Sequence, residues 1–163
     1  MSALAFIAIG SNLGDRLAFG TQAIDGLRAY PAIAVLAQST WREYAALTLP
    51  PHDPQPAYLN GVVQIRTTLE PAELLAVCHQ LERDAGRPRR DIALRWGPRT
   101  LDLDLLAYNT RCVDIPGLTL PHPELHKRRF VLEPLCDIDP NWLHPRLGRT
   151  AHHLLEALIC NSS

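Results

Sequence analysis

Apolar positions along the chain change their spacing several times, and each change predicts an element. Residues 3–9 form a short, nearly continuous apolar run, as in a strand buried on both faces. A turn follows at Gly10-Ser11-Asn12-Leu13-Gly14-Asp15, where Ser11, Asn12 or Asp15 can cap a helix. Residues 16–29 carry Leu17, Ile24 and Leu27 at helical spacing, and Tyr30-Pro31 ends the pattern. Residues 33–41 read as a second strand. Residues 45–57 hold Pro50, Pro51, Pro54 and Pro56, a density that excludes regular structure and marks a long loop.

Residues 58–67 alternate as a strand should. Pro71 suits the first turn of a helix with Leu74, Cys78 and Leu81 along one stripe, closed by Gly86. A basic loop at 87–98 leads to a strand at 101–108. The last third has a turn at Leu120-Pro121-His122-Pro123, a short helix from about Arg128 and a terminal helix over 150–160. The order β-α-β-β-α-β plus a helical tail predicts an α+β chain with a ferredoxin-like βαββαβ core. Its sheet is expected to be antiparallel, with helices on both faces in three α-β-α layers and a C-terminal helical extension.

Composition narrows the field. A length of 163 residues suits one domain over 1–163. No apolar run approaches the roughly 20 residues that span a bilayer, and the start of the chain lacks the basic opening of a signal peptide. A cytoplasmic location and no membrane partner are expected. Cys78, Cys112, Cys136 and Cys160 are widely spaced, which predicts buried thiols rather than disulfides or a zinc site. The net charge of −1 argues against a general nucleic-acid binder. Locally, however, Arg87, Arg89, Arg90, Arg95 and Arg99 cluster with only Asp91 as an acid, and such a stretch attracts anions.

Asp102 and Asp104 carry the most specific chemistry. Two residues apart on a strand, they share a face at about 6.6 Å between Cα atoms, with Leu101, Leu103 and Leu105 on the other face. Two solvated acids on an exposed strand would look the same. The arginines beside them favour a metal–phosphate complex, because Mg²⁺ takes one or two carboxylates together with phosphate oxygens and water. Guanidinium groups bind phosphate oxygens in pairs and stay charged at any working pH. The glycine-rich turn at 10–14 is followed by Asp15 and not by Lys-Ser or Lys-Thr, so it reads as a strand-to-helix turn and not a phosphate loop. His122 and His126 are spaced i, i+4, but Pro123 disfavours one helix through both, and surface or hydrogen-bonding roles are expected rather than zinc binding. His152 and His153 are expected at the surface.

The segment Arg95-Trp96-Gly97-Pro98-Arg99-Thr100-Leu101-Asp102-Leu103-Asp104 closely resembles the 6-hydroxymethyl-7,8-dihydropterin pyrophosphokinase family of folate biosynthesis. The segments at 7–14, 56–60, 81–87, 120–123 and 128–135 match it in the same order, so the resemblance covers almost the whole chain. It implies ATP as co-substrate, transfer of the β,γ-diphosphate to the pterin hydroxymethyl group, and AMP as product. It further implies two Mg²⁺ ions on Asp102 and Asp104, which together with Arg87 and Arg99 form the catalytic set. ATP would be lined by His79, Glu82, Arg87, Arg99, His122 and Arg128, with Arg89 and Trp96 on a loop closing over the substrates. The pterin would lie between Tyr58 and Phe130, hydrogen-bonded by Asn60, with Asn12 and the backbone from Ala45 to Leu47 completing the pocket. A monomer with small-molecule substrates and no nucleic acid is expected. The reading that competes is a non-catalytic RNA-binding module; a phosphate-ester hydrolase would need a general base for which no residue stands out.

Overall fold

The computed structural model describes residues 1–45, 56–86 and 101–161. Its centre is a strand, β1 (Ala3–Ser11), with antiparallel neighbours on both sides, β4 (Tyr58–Thr67) and β5 (Asp102–Tyr108). A second edge is formed by β2 (Ile33–Gln38) and β3 (Arg42–Tyr44), which both pair antiparallel with β4. The strand path is β2-β4-β1-β5. Helix α1 (Arg16–Arg28) links β1 to β2, and α2 (Pro71–Asp84) links β4 to β5. A small hairpin, β6 (Val113–Ile115) and β7 (Leu118–Leu120), precedes α3 (Arg129–Ile138) and α4 (Ala151–Asn161). Among the described residues no helix is long and apolar enough to cross a membrane.

The continuous apolar run in β1 has a direct cause: alternate residues enter two cores. Ile7 and Ile9 pack with Val63, Ile65, Leu103 and Leu105 and with Ile24, Leu27, Leu74 and Cys78 of α1 and α2. Phe6 packs with Val62 and Leu106 and with Leu132, Leu135 and Leu154 of α3 and α4. Trp142 meets the Phe6 ring edge-on at 6.2 Å. Burying a side chain of this size contributes about 1.5–3 kcal/mol, so both cores hold β1 in place.

Several expectations need correction. The second strand does not run unbroken from 33 to 41. At Ser39 the ladder passes from backbone to side chain: Ser39 N–H donates to Val62 O at 2.9 Å, while Ser39 Oγ accepts from Val62 N–H at 2.8 Å. Pairing resumes only at Arg42. The ring of Trp41 fills the space between α1 and β4, where a Cβ on Gly20 would lie 2.5 Å and one on Gly61 2.9 Å from it. The buried stripe of α1 is Gly20, Ala23, Ile24 and Leu27, whereas Leu17 is exposed. Of the four thiols only Cys78 is buried; Cys136 is half-buried, and Cys112 and Cys160 are exposed. The β6–β7 hairpin was signalled by Pro116-Gly117, with Gly117 at φ 83° as the third residue of a tight turn. The Pro-rich loop at 45–57 falls mostly, and the basic loop at 87–98 wholly, outside the described residues.

Candidate active site

Sheet register builds the site. Gly10 at the end of β1 stands opposite Asn60 on β4 and Asp102 on β5, and Arg42 on β3 stands opposite Asn60. One row of the sheet therefore reads Arg42, Asn60, Gly10, Asp102. Two residues back along β1, Ala8 stands opposite Val62 and Asp104. Residues opposite each other share a face, here the face on which Phe6, Val62 and α3 pack. The predicted geometry of the acids holds: Leu101, Leu103 and Leu105 are buried on the far side, while Asp102 and Asp104 are half-exposed.

Small residues on the central strand let side chains of β4 lean across it. A Cβ on Gly10 would come 2.8 Å from Asn60 Oδ1 and 3.4 Å from Tyr58 Cδ1. The Asn60 amide thus lies across the glycine, a close approach that accounts for glycine inside a strand. We take the strip along Gly10 and Ala8 as the floor of a trough between β4 and β5. The two aspartates form one wall; Asn60 and Tyr58 form the other.

The segment leading into α3 closes one end. Arg128 Nη1 lies 3.9 Å from Asp104 Oδ2, and its Cζ lies 5.6 Å from the Phe130 ring centre. The Phe130 ring meets Tyr44 at 6.1 Å and 58°. Tyr44 is the cross-strand partner of Tyr58, so three aromatics border this end. Burial, then the Glu133 carboxylate, pushes the Tyr44 phenol up to about 12, and it stays neutral. Arg42 grips both carboxylate oxygens of Asp137, at 2.8 Å for Nη2–Oδ1, and so ties β3 to the last turn of α3.

His122 precedes the short turn Leu125–Lys127, and no helix runs through it and His126. Burial, and then the Arg128 charge, holds its pKa below 6.5 against the opposing pull of Glu124 and Asp102. Its Nδ1 accepts from Glu124 N–H at 3.1 Å. The neutral ring therefore carries its proton on Nε2, which makes it a hydrogen-bond donor without net charge.

Glu82, His79, Asn12 and Ala45, also expected at the site, take the following positions. Glu82 is 4% exposed, and its Oε2 accepts from Leu103 N–H at 3.0 Å. Leu103 lies between the two aspartates, so α2 fixes the edge strand that carries them. His79 is half-buried one turn earlier on α2. Asn12 is buried and donates from Nδ2 to Pro56 O at 3.2 Å. Ala45 is exposed just beyond β3. Leu47, Arg87, Arg89, Trp96 and Arg99 lie outside the described residues. Sequence reasoning missed Tyr44, Arg42 and the part played by Gly10; a glycine ending an apolar strand run was the available signal.

Comparison with known proteins points to one family. The family model of 7,8-dihydro-6-hydroxymethylpterin-pyrophosphokinase (HPPK) matches residues 6–140. A Synechocystis protein named 2-amino-4-hydroxy-6-hydroxymethyldihydropteridine pyrophosphokinase is 40% identical over 158 residues, covering 97% of this chain and 77% of the relative. A Bacillus subtilis protein of the same name is 40% identical over 138 residues, covering 85% and 79%. The fold is similar to that of the Plasmodium falciparum HPPK-DHPS solved with pteroate, at a TM-score of 0.75 and 12% identity. That match covers 99% of this chain but only 43% of the solved one, so this chain spans less than half of that longer protein. RNA binding has no support among these matches.

Proposed function

Because the chain belongs to the 7,8-dihydro-6-hydroxymethylpterin-pyrophosphokinase family, we propose that its trough is where ATP and 6-hydroxymethyl-7,8-dihydropterin meet and exchange a diphosphate. The hydroxymethyl oxygen attacks the β-phosphorus, the bond from that phosphorus to the α-phosphate bridging oxygen breaks, and AMP leaves. The hydroxyl proton is released. The observation that carries this reading is the single sheet row in which Asn60 and Asp102 flank a side-chain-free Gly10.

Each wall has a task in this reading. Asn60 presents a donor and an acceptor to the pterin edge, and Tyr58 and Phe130 offer ring faces to its flat heterocycle. Arg128 and the Nε2–H of His122 reach toward the phosphates, one as a charge and the other as a neutral donor. Arg87 and Arg99 add charge to the diphosphate as it moves. Phosphoryl transfer needs mainly such positioning and charge stabilisation.

Asp102 and Asp104 fit Mg²⁺ by the chemistry of their donors. No cluster of three or more metal-ligating side chains occurs among the described residues, and two carboxylates sharing one face suit an ion that keeps phosphate and water ligands. Two ions bound there with ATP would neutralise the phosphates and polarise the bonds between them. The strand order with its two crossover helices supports a ferredoxin-like, three-layer reading of the fold, with β3 as a continuation of the edge. A monomer acting as one domain over 1–163 belongs to the same proposal, since the family pattern runs through residues 6–140 of the chain.

Product analysis tests the assignment. The protein with ATP, Mg²⁺ and the hydroxymethylpterin should give AMP and not ADP. Asp102→Asn should lose turnover by at least about 100-fold, as expected when charge stabilisation is removed, with an unchanged circular dichroism spectrum. Turnover that survives in the folded variant would refute it.

A further inference from the structure

Arg16 stands at the first position of α1, where Asp15 Oδ1 accepts from Ala18 N–H at 3.0 Å and fixes the start of the helix. From this anchored base its guanidinium reaches two places far along the chain. Nη1 donates to Ala57 O at 2.8 Å, and Nη2 donates to Glu43 Oε1. Ala57 immediately precedes Tyr58, and Glu43 immediately precedes Tyr44. The two tyrosines face each other where β3 and β4 pair. One side chain thus ties the end of β3 to the start of β4, with a second tie beside it from Asn12 Nδ2 to Pro56 O.

The grip comes from the other side of the sheet. Glu43 stands opposite Leu59, one residue out of step with Tyr44 and Tyr58, so its side chain points away from the trough. Arg16 therefore sets the aromatic wall without contacting what lies against it. The planar fork of arginine suits this task, since two N–H groups at a fixed angle meet two acceptors at once; lysine offers a compact point charge instead. The two links are unequal. Glu43 is 60% exposed, so water screens that ion pair, and the carbonyl of Ala57 is the firmer contact.

We propose that Arg16 is a positioning residue for the pterin side of the site, holding Tyr58 and Tyr44 at the spacing that admits the heterocycle; this rests on the function proposed above. Steady-state kinetics with each substrate varied separately tests it. Arg16→Gln should raise KM for the hydroxymethyldihydropterin about tenfold, the scale of one lost charge-assisted hydrogen bond, with KM for ATP changed less than about twofold. Arg16→Lys should fall between Gln and wild type. Glu43→Gln should change the pterin KM by less than about threefold, and combining it with Arg16→Gln should add nothing, because both act on one link. An unchanged pterin KM in Arg16→Gln overturns the proposal. So does an equal rise in both KM values with a lowered melting temperature in both Arg16 variants, which marks a merely structural residue. Wild-type protein that forms no AMP from the same mixture overturns the functional reading beneath it, and this appears in the control before any variant is compared.

Discussion

Gly10 illustrates how one missing side chain organises the site. Glycine inside a strand ordinarily weakens it, by about 0.5–1 kcal/mol relative to alanine. On that ground Gly10→Ala should be neutral or stabilising. The 2.8 Å approach to Asn60 Oδ1 argues the opposite for function, since the amide must move to admit a methyl group. The expected result is a pterin KM raised about tenfold, on the scale of one displaced hydrogen bond to substrate, while the melting temperature is unchanged or higher. A variant with wild-type KM would show that the amide has another place to go. The aspartates were legible from sequence because their spacing of two fixes a common face whatever surrounds them. Asn60 was legible only through the family pattern. Its meeting with Asp102 across Gly10 depends on which strands pair and in what register, and no local spacing encodes that.

At the scale of elements, the joints between sheet and helices are where sequence reading fell short. The break at Ser39 depends on a hydroxyl taking the place of a backbone carbonyl toward Val62, and a serine in a strand-like run does not announce it. The anchoring of α4 is similar. His144 is 4% exposed, and its Nδ1 accepts from both Arg146 N–H and Leu147 N–H at 3.2 Å, closing the turn before the helix. Burial first, then His126 and Arg146, holds its pKa below 6.5. His122 is lowered as well. A histidine lowered in the folded state binds its proton more readily once unfolded. The stability it contributes is complete above pH 6.5 and is lost as pH falls through the folded-state value. The melting temperature should therefore fall as pH is lowered from 7 to 5, and His144→Asn should flatten that dependence. A slope identical to wild type in the variant would assign the effect to other groups.

Across the whole molecule, β1 belongs to both cores and to the trough floor, and the alternation of its side chains separates these duties. Ile7 is fully buried on the α1–α2 face, away from the aspartates. Ile7→Ala should cost about 2–5 kcal/mol, seen as a lower urea midpoint, yet the molecules that remain folded should keep both KM values. Raised KM values at low temperature would mean that the two faces are not independent. The strand and helix order was largely readable: β1 from a continuous apolar run, β4 from alternation, β5 from its acids alternating with leucines, and α1 and α2 from helical spacing, although Leu17 of the expected α1 stripe is exposed. The split β2–β3 edge and the turn before α4 rest on the side chains of Ser39 and His144, which no periodicity reports, while the β6–β7 hairpin rests on its Pro116-Gly117 turn.

The cross-sheet row has a kinetic meaning as well. Its members are contributed by strands distant in sequence, and such long-range pairings form late because the intervening chain must close into loops first. Before β5 docks against β1, the acids and the Asn60 amide stand on separate pieces of chain. The row is complete only where both strands pair with β1, so a chain lacking either pairing holds the acids and the amide apart.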